Sequence, residues 1–380
     1  MEQRAWLKGV KVLDFTQILS GPMATMVLAD AGADVVKVEK PGIGDTTRRW
    51  GPPFVQGESL YFAAFNRGKR SIALDLNTRE DLELAKRLAM RADVVVENLR
   101  PGTLDHFGLG AAHLRSERPE LIYVSITGYR AGSSRSGDPA LEVILEAETG
   151  LMDITGTEDG RHVRLGVAAI DMMTGVAAAA RIFGALYFRA VHGQGETISV
   201  SLEETAAFMM THPWMMFLHG HQRYEKCGTG HPNIAPYEDF QTADLPIIVA
   251  AVDDQQFQRL CTVLDRPEWA SDPSWRTNAG RVLNRHELHR NIEDILMARP
   301  AHHWVKELQK AKISVGVVNP VHIAARQWLD GNTPKLTSEH PRMGTLWWPT
   351  SAWNQLGGNV APPPLLDADR ERVISEWLGT

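Results

Sequence analysis

Lys8-Gly-Val-Lys-Val-Leu-Asp14, then Ser20-Gly-Pro-Met-Ala-Thr-Met-Val-Leu-Ala-Asp30, then Asp34-Val-Val-Lys-Val38 follow one another near the start of the chain. The first stretch alternates as a strand does, the second reads as a helix entered through Gly21-Pro22, and the third is a second strand. This is a βαβ opening. The theme continues with a strand over Ser71–Leu76, a charged amphipathic helix over Arg79–Arg91, an apolar strand over Asp93–Glu97 and another over Leu121–Thr127. Strands alternating with helices imply a mainly parallel sheet covered on both faces, so the first half is expected to be an α/β, Rossmann-like domain. Ligands of such sheets bind beyond the carboxyl ends of the strands. Three of those ends carry polar or basic residues: Glu39-Lys40, Glu97-Asn98-Leu99-Arg100 and Thr127-Gly128-Tyr129-Arg130. The first strand-helix turn, Asp14-Phe-Thr-Gln-Ile-Leu-Ser-Gly-Pro22, lacks the glycine fingerprint for dinucleotides, which disfavours a nicotinamide or flavin enzyme.

Outward from this unit, Asp171–Val191 is rich in Ala, Met and aromatics and reads as a buried helix ending at His192-Gly-Gln-Gly195, followed by an alternating strand over Glu196–Leu202. A helical stretch over Glu203–His219 precedes two short strands within Tyr237–Val252 and a helix over Asp254–Leu264. These mark a smaller α+β domain at about residues 225–325, between a large domain (1–224) and a return segment (326–380) closing with an amphipathic helix, Asp367–Leu378.

A chain of 380 residues is long enough for two domains, and 43% hydrophobic with 23% charged residues is ordinary for a globular protein. Net charge is −6 with no long Lys/Arg block, so nucleic acid is not an expected partner. Cys227 and Cys261 give neither a disulfide framework nor a metal knuckle, which fits a reducing cytoplasm. The first residues lack the apolar core of a signal peptide, and no apolar run reads as a membrane span.

Asp171 follows the apolar run Leu165-Gly-Val-Ala-Ala-Ile170 and immediately precedes the long helix. That place suits an N-cap, where backbone N–H groups and the helix dipole stabilise an anion, and it suits a charged nucleophile equally. Capping is the commoner use, and the residues alone do not choose. The histidine pairs His302-His303 and His219/His221 form no HExxH or comparable ligand set, so no metal site is expected. Cys261 shares an apolar helix stripe with Phe257 and Leu260 and reads as core rather than as a nucleophile. No Gly-x-Ser-x-Gly elbow occurs, which argues against a serine hydrolase.

The order of segments carries a resemblance. Gly9-Val-Lys-Val-Leu-Asp-Phe-Thr16, Ser20-Gly-Pro, Asp30-Ala-Gly-Ala-Asp-Val-Val-Lys-Val-Glu-Lys-Pro41, Asn66-Arg-Gly-Lys-Arg-Ser-Ile-Ala-Leu-Asp-Leu76 and Glu97-Asn-Leu-Arg-Pro-Gly102 together resemble the family III CoA-transferases. The likeness continues through Gly166–Gly175, His231–Tyr237, Asp272-Pro273 with Thr277-Asn278 and Arg281, and the late Pro-Pro-Pro-Leu-Leu366. It implies a large Rossmann-like domain built from both chain ends, a small domain between them, and an interlocked homodimer. It implies Asp171 as the nucleophile, which passes through an aspartyl anhydride and an aspartyl-CoA thioester, with acyl-CoA as substrate and no tightly bound cofactor. The positions matching the family's CoA contacts are Leu19, Lys40, Leu74, Asn77, Asn98, Leu99, Arg100 and His106, with Arg135 a further candidate. Lys40 and Arg100 suit phosphate groups.

Departures from the pattern bear on the acceptor. After Ser125-Ile-Thr-Gly-Tyr129 the usual Gly-Gln-x-Gly-Pro is replaced by Arg130-Ala-Gly-Ser-Ser134, Glu142 stands where Asp is frequent, a common Gln is Glu146, and Leu-Gly-x-His-Thr becomes Leu366-Asp-Ala-Asp-Arg370. A glycine-run loop is missing; Gly228-Thr-Gly230 stands there instead. The Gly51-Pro-Pro-Phe54 segment resembles acetyl-CoA:oxalate and succinyl-CoA:dicarboxylate transferases, so a short acyl donor and a small dicarboxylate acceptor are expected. Two rivals remain. An α-methylacyl-CoA racemase needs a catalytic His near Leu141, which is absent. A non-catalytic acyl-CoA-binding homologue would bind CoA without exchange.

Overall fold

The structure, a computed structural model, describes residues 5–354 and 357–379. The chain divides into two compact units, one of residues 1–146, 166–209 and 334–380, the other of 147–165 and 210–333.

The first unit is built on six parallel strands: β1 (Lys11–Asp14), β2 (Asp34–Glu39), β3 (Lys69–Ala73), β4 (Val94–Glu97), β5 (Ile122–Thr127) and β6 (Thr197–Ser201). They lie in the order β3-β2-β1-β4-β5-β6, which is the doubly wound arrangement with its switch point between β1 and β4. Helix α1 (Ser20–Asp30) crosses from β1 to β2, and α2 (Arg79–Ala89) from β3 to β4. Thr78 caps α2 by accepting from the Asp81 N–H, and Glu80 and Asp81 in its first turn with Lys86 and Arg87 in its last complement the helix dipole. Leu13, Val36, Ile72, Val95, Leu88 and Leu114 close the core on that side of the sheet. Each such buried aliphatic side chain contributes roughly 1.5–3 kcal/mol.

The short helix α3 (Glu142–Glu148) and the long helix α4 (Ala169–His192) follow β5. Helix α4 packs on α1, and a Cβ at Gly175 would come within 2.6 Å of the Ser20 carbonyl oxygen. Only glycine permits that approach. By length and composition alone α4 could cross a membrane, which corrects the expectation that no apolar run of that length exists. Arg181 and Arg189 interrupt the run, and Arg189 is paired with Asp93 at 3.0 Å on the same unit.

In the second unit the expected helix over 203–219 breaks into Leu202–Met209, which remains in the first unit, and Thr211–Gly220. Pro213 has no N–H to continue the ladder across the joint. Three antiparallel strands, β7 (Tyr237–Phe240), β8 (Ile247–Ala250) and β9 (Ser314–Val317), pack with helices Asp254–Val263, Arg285–Leu296 and Ala301–Lys310 around Phe240, Val249, Phe257, Leu260, Ile292 and Leu308. Cys261 is fully buried there, as its stripe predicts.

The chain then returns to the first unit. Strands β10 (Lys335–His340) and β11 (Gly344–Pro349) precede helix Arg370–Leu378, which packs against the edge strand β3. Here the departure at Leu366–Arg370 has a structural use. Asp367 accepts from the Ala73 N–H at 2.7 Å and Asp369 from the Ser71 N–H at 3.0 Å, covering an edge that would otherwise be open. Asp367 stands at φ +60, where the family's motif has glycine and where Asp is better tolerated than most residues.

Candidate active site

Asp171 is the third residue of α4, not its N-cap. The cap is Ala168, which offers no side-chain hydrogen bond, so the helix begins earlier than the capping pattern suggested. The carboxyl of Glu142, on α3, faces the Asp171 backbone N–H instead. The Asp171 side chain is pushed above the ordinary carboxylate range by burial, against hydrogen-bonding interactions with the Ser20 hydroxyl and the Glu142 carboxyl that favour its anion. Three elements therefore meet at this carboxyl: the first residue of α1, the first of α3 and the first turn of α4.

Glu142 is pushed up to about 7 by burial, then by the neighbouring Asp171 and Glu146. Neither of its oxygens completes a well-formed hydrogen bond, so its contacts with both neighbours are loose. A buried acid in that position holds its proton near neutrality and spares Asp171 a charge beside it. Glu146 is itself only 2% exposed, so the carboxyl that departs from the family pattern lies inside the cluster and not on the rim.

The strand order decides where the other candidates fall. Lys40 follows β2, Leu74 and Asn77 follow β3, Leu19 follows β1, and Asn98, Leu99 and Arg100 follow β4, so adjacent strands bring all seven to one edge of the sheet. Lys40 and Arg100 are exposed. Leu19 and Leu74 are buried, and Asn77 turns back on Asp75, Nδ2 to Oδ1 at 2.9 Å. Asn98 is committed to the protein: its Oδ1 accepts from the Gln17 N–H and its Nδ2 donates to the Gln17 carbonyl, both at 2.7 Å. His106 is exposed at the end of the short helix Thr103–His106 after β4, edge-on to Phe107. Arg135 stands apart on the loop after β5, paired with Asp138 at 3.1 Å and stacked over Tyr129.

Beyond β4 and β5 a cavity of about 280 Å³ is lined by Glu97, Arg100, Tyr123, Ser125 and Thr197, among others. Burial raises the Glu97 carboxyl, against the Ser125 hydroxyl and the Leu99 N–H, which donates to it at 2.8 Å. Among the described residues no group of three or more His, Cys, Asp or Glu is arranged to hold a metal ion. The sequence shows Ser20 only as part of a motif and Glu142 only as a departure from the family pattern. Its one usable signal was the Ser-Gly-Pro helix start, because both contacts with Asp171 cross more than twenty residues of chain.

Comparison with known proteins converges on one group. The sequence profile of CoA-transferase family III matches residues 7–370. The chain is 37% identical over 376 residues to the human succinyl-CoA:glutarate CoA-transferase, covering 98% of this chain and 86% of that protein. It is 36% identical to the acetyl-CoA:oxalate CoA-transferase of Acetobacter aceti, over 83% of this chain and 82% of that protein. A CAIB/BAIF family crystal structure from Brucella suis superposes with a TM-score of 0.86 at 34% identity, covering 99% of this chain and all of that one. The resemblance carried by the ordered motifs thus holds over nearly the whole length, and the chain belongs to CoA-transferase family III.

Proposed function

We propose that this CoA-transferase moves CoA from a short acyl-CoA, such as succinyl-, acetyl- or formyl-CoA, to a small dicarboxylate, with Asp171 as the covalent relay. The observation that carries this reading is the seat of Asp171: a buried carboxyl in the first turn of α4, where the Ser20 hydroxyl favours the anion against burial and Glu142, pushed up to about 7, stands beside it. The relatives named for glutarate and oxalate support the acceptor class.

The Asp171 carboxylate attacks the thioester carbonyl; the C–S bond breaks and CoA leaves as the thiolate, giving a mixed anhydride. The thiolate then attacks the Asp171 acyl carbon and expels the donor carboxylate, leaving an aspartyl-CoA thioester. The acceptor carboxylate attacks the aspartyl-CoA carbonyl, the C–S bond breaks and the thiolate leaves, giving a second mixed anhydride; the thiolate then attacks its acceptor acyl carbon, forming acceptor-CoA and releasing the Asp171 carboxylate. No proton is consumed in the cycle. Catalysis therefore rests on holding a weak nucleophile in attack geometry and on stabilising charge. Glu142 is the acid that lets a carboxylate acceptor approach Asp171 without meeting its charge as well.

Lys40, Arg100 and His106 are proposed to hold the phosphates of CoA, and Leu19, Leu74, Asn77 and Leu99 to line its path, with Arg135 at the margin. No tightly bound cofactor is part of the cycle, and the two unpaired thiols Cys227 and Cys261 suit a reducing cytoplasm. An interlocked homodimer is also part of this reading. Phe217 and Leu218, 60% and 61% exposed on a helix with no buried residue, call for a second copy, and sedimentation should give twice the chain mass.

Succinyl-CoA and acetyl-CoA, each offered with oxalate, glutarate and mesaconate, should give new acyl-CoA species by chromatography for at least one pair. Epimerisation of a 2-methylacyl-CoA without transfer would replace this reading by the racemase, and CoA binding without either reaction by the acyl-CoA-binding homologue.

A further inference from the structure

The turn that leads from β1 into α1 has an unusual backbone. Ile18 stands at φ +70, a left-handed conformation that β-branched residues rarely adopt, and Leu19 follows at φ −134, ψ −61. Such a conformation persists only where its surroundings over-determine it. Side chains from four places do so here. Asp14 on β1 accepts from the Thr16 N–H at 2.8 Å. Lys37 on β2 donates to the Thr16 carbonyl at 2.6 Å. Asn98 after β4 holds both the N–H and the carbonyl of Gln17. Asp45, beyond β2, accepts from the Ile18 N–H at 3.3 Å and is paired with Lys37 at 2.9 Å.

Asp45 and Lys37 are wholly buried, and the pair is anchored further: the Asp45 N–H donates to Glu39 at 2.8 Å, and Asp45 Oδ1 also accepts from the Thr47 N–H at 2.9 Å. The turn ends directly at Ser20, whose hydroxyl acts on Asp171 and whose carbonyl lies against Gly175 on α4. On the other side a Cβ at Gly21 would come within 2.4 Å of the Thr16 Cβ, so the turn and the start of α1 cannot shift independently.

We infer that Asp45, with Lys37, is a positioning residue of the transfer reaction: it holds the Thr16–Leu19 turn in its left-handed form and thereby places the Ser20 hydroxyl against Asp171. Asp45 touches no reacting atom, and its effect passes through the backbone of Ile18. The inference rests on the role given to Asp171 only in naming what Ser20 serves; the coupling of Asp45 to Ile18 stands apart from it.

That coupling has a signature that a purely structural role lacks. Glycine adopts φ +70 without steric cost, so it should relieve the need for the clamp. Asp45→Asn should lower kcat for CoA transfer by about tenfold, the order expected for a small misplacement, with KM for acyl-CoA within about twofold of wild type. Ile18→Gly in the Asp45→Asn background should recover a severalfold part of that loss. A double variant no faster than Asp45→Asn alone, or equal losses confined to KM, overturns the inference. Ile18→Gly by itself gives an arm that does not depend on Asp45→Asn folding: its melting temperature should be no lower than wild type although a side chain is removed, and a clear drop overturns the inference. Because these arms read steady-state transfer and melting, they are decided whether or not an adduct maps to Asp171, which tests the nucleophile separately.

Discussion

The interiors of the two units are built from different material. In the second unit Phe240, Phe257, Leu260, Ile292 and Leu308 fill the core, and Arg281, fully buried, donates to the carbonyls of Ala235 and Trp275 and pairs with Asp254 at 2.9 Å. In the first, the ends of β1 and β2 and the first residue of β3 converge on a wholly or almost wholly buried set of charges: Asp14 with Lys69 at 3.2 Å, Lys37 with Asp45 at 2.9 Å, and Glu39 with Arg48 at 2.7 Å. Burial pushes the Lys69 ammonium down to about 8 against the pull of Asp14, whereas Lys37, also opposed by burial, is raised by Asp45 and Asp14. Buried ion pairs are weak contributors to net stability compared with apolar packing, but they fix geometry where several hydrogen bonds meet. The first unit places that rigid polar framework beneath the turn that feeds Ser20. The second contains no comparable set among its described residues.

The contrast can be broken in stages. The largest effect belongs to Asp171→Ala, expected to lower transfer by about a thousandfold or more while CoA binding and the melting temperature are largely kept, since a covalent relay has no substitute. Kinetics with calorimetric CoA binding check it. Next, Lys37→Met leaves Asp45 buried without its partner and should cost about 3–5 kcal/mol in chemical denaturation together with a fall in kcat. Leu260→Ala in the second unit should cost about 2–5 kcal/mol by opening a cavity, yet leave kcat per folded molecule unchanged. Loss of kcat in both variants, or in neither, would erase the distinction between the two interiors.

A smaller effect is a pH dependence. Glu142 is raised from 4.5 to about 7, so the folded protein keeps a proton there that the unfolded chain releases. The stability this group contributes is complete below its unfolded value and lost as pH rises through about 7. Glu142→Gln should therefore flatten the fall in melting temperature between these pH values and raise it at pH 8; an unchanged slope would show that Glu142 ionises normally. The smallest effect is expected at the rim. Lys40→Ala should raise KM for acyl-CoA by about two- to tenfold with kcat unchanged, because an exposed cation gains little from a phosphate in water.

The fold was largely legible because its signals are local. The alternation over Lys11–Asp14, the Ser20-Gly-Pro start of α1 and the run Val94–Glu97 each declare an element within a few residues. Boundaries slipped where a tertiary contact intervened. Strand β3 begins at Lys69, two residues before the alternation suggested, because Lys69 is drawn inside by Asp14, Asn66 and the Pro22 carbonyl. The site was legible only in part. Asp171 stands out by its place before a long apolar helix, but the true start two residues earlier passes through Ala168 and Ala169, which carry no capping signal. Glu142 and Ser20 are joined to it by packing alone, and Lys37 looks like any solvent-facing lysine of a strand until Asp45 is seen against it. Asn98 shows the converse: a residue matched to a ligand contact has its side-chain amide engaged with Gln17.

The central claim is that Asp171 carries the acyl group. Intact-protein mass spectrometry after mixing with succinyl-CoA or acetyl-CoA, followed by hydroxylamine trapping and peptide mapping, tests it most directly. The expected result is a hydroxamate at Asp171 that is absent from Asp171→Ala. Turnover without any adduct, or an adduct mapped to another residue, would contradict it.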